Sequence, residues 1–155
     1  MKTEHKYHCE TIWSGGEEGN RDIRKYNRTH SVQITGKPQL LLSTDNAQVG
    51  DSSRLNPEDL LLSALSSCHM LSYLYVCSLE GIVITSYHDT AEGCMKGSDR
   101  LGGQFEWVEL RPHCVVADAN NIPRALELHH EAHSICYIAR SVNFEVRCVP
   151  RCSVK

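Results

Sequence analysis

The run NPEDLLLSALSSCHMLSYLYVCSLEGI, residues 56–82, limits the possible folds more than any other stretch of the chain. Asn56 suits a helix N-cap, Pro57 suits the first helical position, and Glu58 and Asp59 favour the positive end of the helix dipole. Gly81 is a suitable stop, because helices commonly end on a left-handed residue that glycine adopts without strain. The segment therefore predicts one helix from about residue 57 to 80. Its apolar residues, at 60, 61, 62, 65, 71, 74, 75, 76 and 79, cover most of the circumference rather than one stripe, the pattern of a helix surrounded by protein. From Asn56 to Glu80 it would rise roughly 37 Å, longer than the compact diameter of a small domain. Part of it is then expected to be buried by a second chain.

Around this helix the hydrophobic period changes. Residues 7–13, 28–34 and 39–43 alternate apolar and polar, with the turn signals SGGEEGN and TGKP between them, and read as antiparallel strands and hairpins. After the helix, IVITSYHDTAEGCM and GQFEWVELRPHCVVAD read as two further strands joined by the turn KGSDRLGG. A second helix is expected in NNIPRALELHHEAHSICYIA, capped by Asn120 or Asn121, and SVNFEVRCV alternates as a closing strand. The order βββ-α-ββ-α-β is an α+β arrangement, and 155 residues suit one domain over the whole chain, 1–155.

A formal charge of -3 with no basic block argues against an electrostatic grip on nucleic acid or an anionic membrane. The start MKTEHKYHCE has no apolar h-region, and Ser63, Ser66, Ser67, His69 and Glu80 interrupt the long apolar run. Neither export nor membrane spanning is expected, and the location expected is cytoplasmic. The eight cysteines, at 9, 68, 77, 94, 114, 136, 148 and 152, should then be mostly reduced. No CxxC pair is present, and Cys148 and Cys152, four apart beside Pro150, are weak zinc ligands. His129 and His133 in HHEAH stand at i and i+4 and can chelate a metal, but the order His-Glu-x-x-His of the zincins is not met. They read as surface histidines. A metal module would need His69 or a cysteine to complete it, so no metal and no cofactor are expected.

Cys68 lies in the middle of the first helix, twelve positions past the cap and out of reach of the helix dipole. Burial alone would raise its pKa, so a reactive thiolate there needs a cation: His69, one of Arg21, Arg24 and Arg28, or a histidine of the second helix. Cys136, at the end of the second helix, offers a second thiol. Such a pair can attack a peroxide to give sulfenic acid and then close a disulfide, with an arginine stabilising both the thiolate and the departing alkoxide. Three other readings compete. Cys68 and His133 could form a Cys-His acyl-transfer pair. The apolar groove of a dimer could hold a small hydrophobic ligand without catalysis. Cys68 could simply be a buried, inert thiol. Cys77, nine positions on, faces away from Cys68, and the remaining cysteines receive no catalytic role. Trp13, Phe105 and Trp107 read as core or pocket wall.

The pattern NPEDLLLSALSSCHM, followed by AHSICYIARSVNF, resembles the OsmC/Ohr family, the osmotically inducible and organic hydroperoxide resistance proteins, and is nearest its OsmC-like branch. The resemblance extends over nearly the whole chain and implies antiparallel sheets packed around two central helices in an intertwined homodimer. It implies a thiol-dependent peroxidase in oxidative stress defence, with Cys68 attacking, Cys136 resolving, and an acid-arginine pair beside Cys68. Glu58 matches the acid, and Arg28 is favoured for the arginine with Arg21 and Arg24 open. Implied partners are an organic hydroperoxide substrate and a dithiol reductant of the lipoyl type. Glu58 lies about 15 Å along the helix from Cys68, so two antiparallel copies are expected to supply composite sites.

Overall fold

The computed structural model describes residues 4–46, 48–98 and 102–155. It divides into two compact units, Met1–Leu60 and Leu61–Lys155. In the first, β1 (Glu10–Ile12), β2 (His30–Gln33) and β3 (Leu40–Leu42) form an antiparallel sheet in chain order. Leu42 and Ser43 are buried, and the following polar loop is tied down where the Ser43 amide donates to the Leu55 carbonyl and the Asp51 amide to Ser43 Oγ.

Helix α1 (Pro57–Leu79) starts where the sequence places it. Asn56 Oδ1 accepts from the Asp59 amide at 2.7 Å, and Asp59 Oδ2 accepts from the Asn56 amide at 3.1 Å. This reciprocal cap satisfies two donors that a helix start otherwise leaves unpaired. The helix stops as Gly81 takes φ +70°, with the Ile82 amide returning to the Cys77 carbonyl at 2.9 Å.

In the second unit, β4 (Ile84–Asp89), β5 (Glu92–Ser98), β6 (Gly102–Leu110) and β7 (Pro112–Val116) precede α2 (Ile122–Ile135), and β8 (Glu145–Cys148) and β9 (Arg151–Val154) follow it. The order is thus βββ-α-ββββ-α-ββ. Each stretch read as one long strand is two, and the last strand is also doubled. The chain changes sheet at three corners, residues 90–91, Arg111 and 149–150, to build the sheets β4-β7-β9 and β5-β6-β8. The corners are bonded to one another. Asp89 Oδ1 accepts from the Arg111 amide at 2.8 Å, and the Val149 amide donates to the Leu110 carbonyl at 2.8 Å. The turn predicted at KGSDRLGG lies partly outside the described residues.

The expectation of wholly antiparallel sheets is corrected. The pairs β4-β7 and β5-β6 are antiparallel, but β6-β8 and β7-β9 are parallel. The reason is the crossover: α2 lies between β6 or β7 and the strands that join them, and it returns the chain to the same end of the sheet. Helix α2 is preceded by a 3-10 turn, Ala119–Asn121, capped by Asp118. Asn121 is its N-cap but makes no side-chain cap bond, and Pro123 sits in the first turn.

Helix α1 buries one stripe, Leu65, His69, Tyr73, Val76 and Cys77, rather than its whole circumference. Leu65 joins Phe105, Val108 and Leu110 of the β5-β6-β8 layer. Tyr73, Val76 and Cys77 join Cys114, Val116, Ala125, Leu128 and Ala132 from the other sheet and α2. Leu71, Tyr75 and Leu79 remain 61%, 58% and 68% exposed. An 18-residue window of this helix has mean hydropathy 1.5, and by length and composition alone the helix could cross a membrane. Replacing Asn56 with Ala removes the cap and should destabilise the protein by about 1 kcal/mol, read as a lower urea midpoint; an unchanged midpoint would show that the cap contributes nothing.

Candidate active site

The two thiols singled out from sequence meet in the second unit. Cys68 is half-buried on α1, one residue before the buried stripe resumes at His69. Cys136 is fully buried and ends α2, its backbone turning extended at φ -67°, ψ 112°. That break brings the Cys136 thiol beside the Cys68 thiol, close enough for each to bear on the other's protonation. Burial first, and then the neighbouring Cys68 thiol, push the Cys136 thiol up to about 11, while the Ala139 and Ile138 backbone amides pull the other way. At neutral pH Cys136 therefore stays protonated and can donate to the Cys68 sulfur. All eight cysteines are free thiols.

The other two expected site residues lie in the first unit. Glu58 is half-buried in the first turn of α1. Arg28 is the most organised of the three arginines. Its guanidinium donates to the Tyr26 carbonyl at 3.0 Å and the Ile23 carbonyl at 2.6 Å, and lies 3.8 Å from the Tyr26 ring centroid. Arg21 instead pairs on the surface with Glu18, and the Arg24 amide donates to Asp22 Oδ1. Among the described residues Glu58 makes no ion pair with any of the three.

His129 is not a surface residue. The inner stripe of α2 is Ala125, Leu128, His129 and Ala132, and His129 is 2% exposed. The expectation failed because a helix shows its buried face only through neighbours distant in sequence. The His129 ring stacks on Tyr73 with centroids 3.7 Å apart, and Tyr73 Oη donates to Cys114 Sγ at 3.1 Å. His129 Nδ1 lies 3.0 Å from His69 Nε2, and Cys148 Sγ lies 3.5 Å from the same His69 nitrogen. The sequence offered His69 as a cation for Cys68 or as the residue completing a metal module, and gave Cys148 no catalytic role and only weak standing as a zinc ligand. The i, i+4 pair in HHEAH was a partial signal, but Cys148 reaches the place from β8, 79 positions from His69.

Burial pulls His69 down to about 4, helped by the charge of His133 and opposed by Asp89. Burial and His69 pull His129 down to about 3. Both rings are neutral at pH 7. Trp13, expected in the core or a pocket wall, is 41% exposed and lines an open pocket with Tyr26 and Arg28, standing edge-on to Tyr26 with its Nε1 donating to the Asn27 carbonyl. Phe105 is buried as expected, and Trp107 is half-buried with the Arg147 guanidinium over its ring.

An α+β chain whose two helices bring a pair of free thiols together belongs to a recognisable class of thiol-bearing proteins. A model of the OsmC-like protein family matches residues 50–149, and the chain belongs to that family. An OsmC-like protein of unknown function from Vibrio cholerae is 27% identical, with a TM-score of 0.84 over 95% of this chain and 99% of that one. The organic hydroperoxide resistance protein OsmC of Legionella pneumophila is 20% identical (TM-score 0.70, 99% of each chain). An organic hydroperoxide resistance protein of Elizabethkingia anophelis is 19% identical (TM-score 0.73, 100% of each chain). At that identity both show a shared fold. No curated protein matches the chain.

The histidine pair makes stability depend on pH. Their folded pKa values lie below the ordinary 6.5, so between pH 6.5 and about 4 the unfolded chain binds protons that the native one does not. Stability is fully present above pH 6.5 and should fall on acidification through this window, on the order of 1 kcal/mol per pH unit for each ring. Urea titrations at pH 7, 6 and 5 test this, and a flat profile would contradict it.

Proposed function

We propose that the protein is a thiol-dependent peroxidase that reduces organic hydroperoxides. The observation that carries this reading is the proximity of Cys136 to Cys68, which pairs two otherwise isolated thiols at the end of α2 and the middle of α1. The Cys68 thiolate attacks the terminal peroxide oxygen and the O–O bond breaks. Cys68 becomes a sulfenic acid, and the departing alkoxide takes a proton to leave as the alcohol. Cys136 then attacks the Cys68 sulfur, displacing the hydroxyl as water and closing a disulfide. An external dithiol, of the lipoyl type by family resemblance, reduces that bond and restores both thiols.

A half-buried thiol on a largely apolar helix favours alkyl peroxides over hydrogen peroxide, because a hydrocarbon tail gains from leaving water. The open side of α1, with Leu71, Tyr75 and Leu79 outward, fits burial against a second copy. In that homodimer Glu58 and Arg28 of one copy would serve Cys68 of the other, with the guanidinium holding the thiolate and the carboxylate holding the guanidinium.

The test is peroxide consumption with a dithiol donor, comparing cumene hydroperoxide with hydrogen peroxide. Cys68→Ser should abolish consumption of both. Cys136→Ser should stop turnover yet leave one trappable sulfenic acid per chain after a single addition of peroxide. Equal rates in the parent and Cys68→Ser would end the thiol mechanism. Replacing Arg28 with Met should lower the rate by at least tenfold if its charge holds the thiolate, and an unchanged rate would remove Arg28 from the site.

A further inference from the structure

The described residues hold four buried side-chain polar atoms without a hydrogen-bond partner: His69 Nδ1, Tyr87 Oη, His129 Nε2 and His133 Nδ1. Native proteins keep such atoms few, and each one calls for an explanation. Here all four belong to one neighbourhood. The Tyr87 ring centroid is 6.5 Å from that of His129, and His133 lines the same cavity as His129 and Cys148. At the centre, one donor atom each from His69, His129 and Cys148 lies within 4.8 Å of the other two.

The distances that make His69 and His129 a hydrogen-bonded pair in the absence of an ion also lie close to those of a metal site. A tetrahedral ion of zinc size, with bonds of about 2.0 Å to nitrogen and 2.3 Å to sulfur, sets two nitrogens about 3.3 Å apart and nitrogen and sulfur about 3.5 Å apart. The observed separations are 3.0 Å for His69 Nε2 to His129 Nδ1 and 3.5 Å for His69 Nε2 to Cys148 Sγ. These two pairs need shifts of only a few tenths of an ångström to hold such an ion, and the third pair, His129 Nδ1 and Cys148 Sγ, lies within 4.8 Å. The three ligands come from three separate regular elements, α1, α2 and β8, so their backbones are already held.

We propose that His69, His129 and Cys148 form a binding site for a divalent ion of the zinc class, with its fourth position open to the adjoining cavity of about 340 Å3. Two imidazoles and a thiolate select a borderline-soft ion over magnesium or calcium, which take oxygen ligands. Three protein ligands with one open position is the arrangement of a zinc ion that also binds water or a small anion. His130 and His133 line that cavity.

The local chemistry is consistent with this assignment. Both rings are neutral at pH 7 and so have lone pairs to give. Each ring keeps its one proton on the outer nitrogen, His69 Nδ1 or His129 Nε2, when the facing nitrogens bind the ion. Burial holds the Cys148 thiol up to about 12, so loading releases one proton from it to solvent. The bound thiolate leaves a net charge of +1 on the site. Asp89, whose charge acts on both His69 and Cys148, offsets it.

The site does not depend on the peroxidase reading, because Cys68 is not among its ligands. The experiment is metal titration of the full chain. Equilibrium dialysis against zinc chloride should give one ion per chain with release of one proton. The cobalt-loaded protein should show a thiolate-to-metal charge-transfer band in the near ultraviolet. Cys148→Ser, on an edge strand, should remove the band and weaken zinc binding at least tenfold, whereas Cys68→Ser should change neither. The parent's stoichiometry and proton release need no variant, so a misfolded variant leaves the test intact. No uptake by the parent, a band that survives Cys148→Ser, or one that vanishes in Cys68→Ser would overturn the assignment.

Discussion

The inner stripe of α1 is the surface on which the second unit is built. Leu65 near one end enters the apolar cluster beneath β5-β6-β8, and Tyr73, Val76 and Cys77 toward the other enter the cluster shared by β4-β7-β9 and α2. Two four-residue steps lead from Leu65 to Tyr73 by way of His69, which faces the seam between the two clusters. A polar side chain at that seam is costly unless it is partnered. His129 supplies the partner from α2, and Tyr73 covers the His129 ring, so the polar contact is held inside an apolar frame. Packing at this seam sets where α2 lies, and thereby where its terminal Cys136 meets α1.

Position and electrostatics together separate the two kinds of chemistry along one helix. Cys68 and His69 are neighbours in sequence but differ by about 100° around the axis. One turns toward Cys136 and the other toward His129 and Cys148. The thiol pair is suited to two-electron exchange, whereas the histidine pair, uncharged at neutral pH, is suited to giving lone pairs. Asp89 links the seam to the fold itself: its two oxygens accept from the Arg111 amide at a strand corner and from Ser66 Oγ on α1. One carboxylate therefore fixes a corner of the sheet and sets the local potential.

Much of the architecture was legible in the sequence because its signals are local. The cap at Asn56, the stop at Gly81, the three N-terminal strands and the second helix all follow from residues within a few positions of one another. Strand count and sheet membership were not legible. Pro112 and Pro150 mark two of the corners, but alternation of side chains continues across them, and a period-2 pattern cannot say that the chain has changed sheet. The parallel pairings of β8 and β9 depend on the crossover through α2. The all-round apolar character of α1 also misled as to a single chain, in which only one stripe is covered.

For the site, the sequence alone determined which groups are available: a thiol at mid-helix, a second at a helix end, and an i, i+4 histidine pair. Only the tertiary structure decided which of these meet. It joined Cys68 to Cys136 and turned His129 inward. It also brought Cys148 beside His69 across 79 positions. The physical reason is that local spacing sets the face of a helix or strand on which a side chain lies, whereas proximity between elements is set by the burial of their apolar faces.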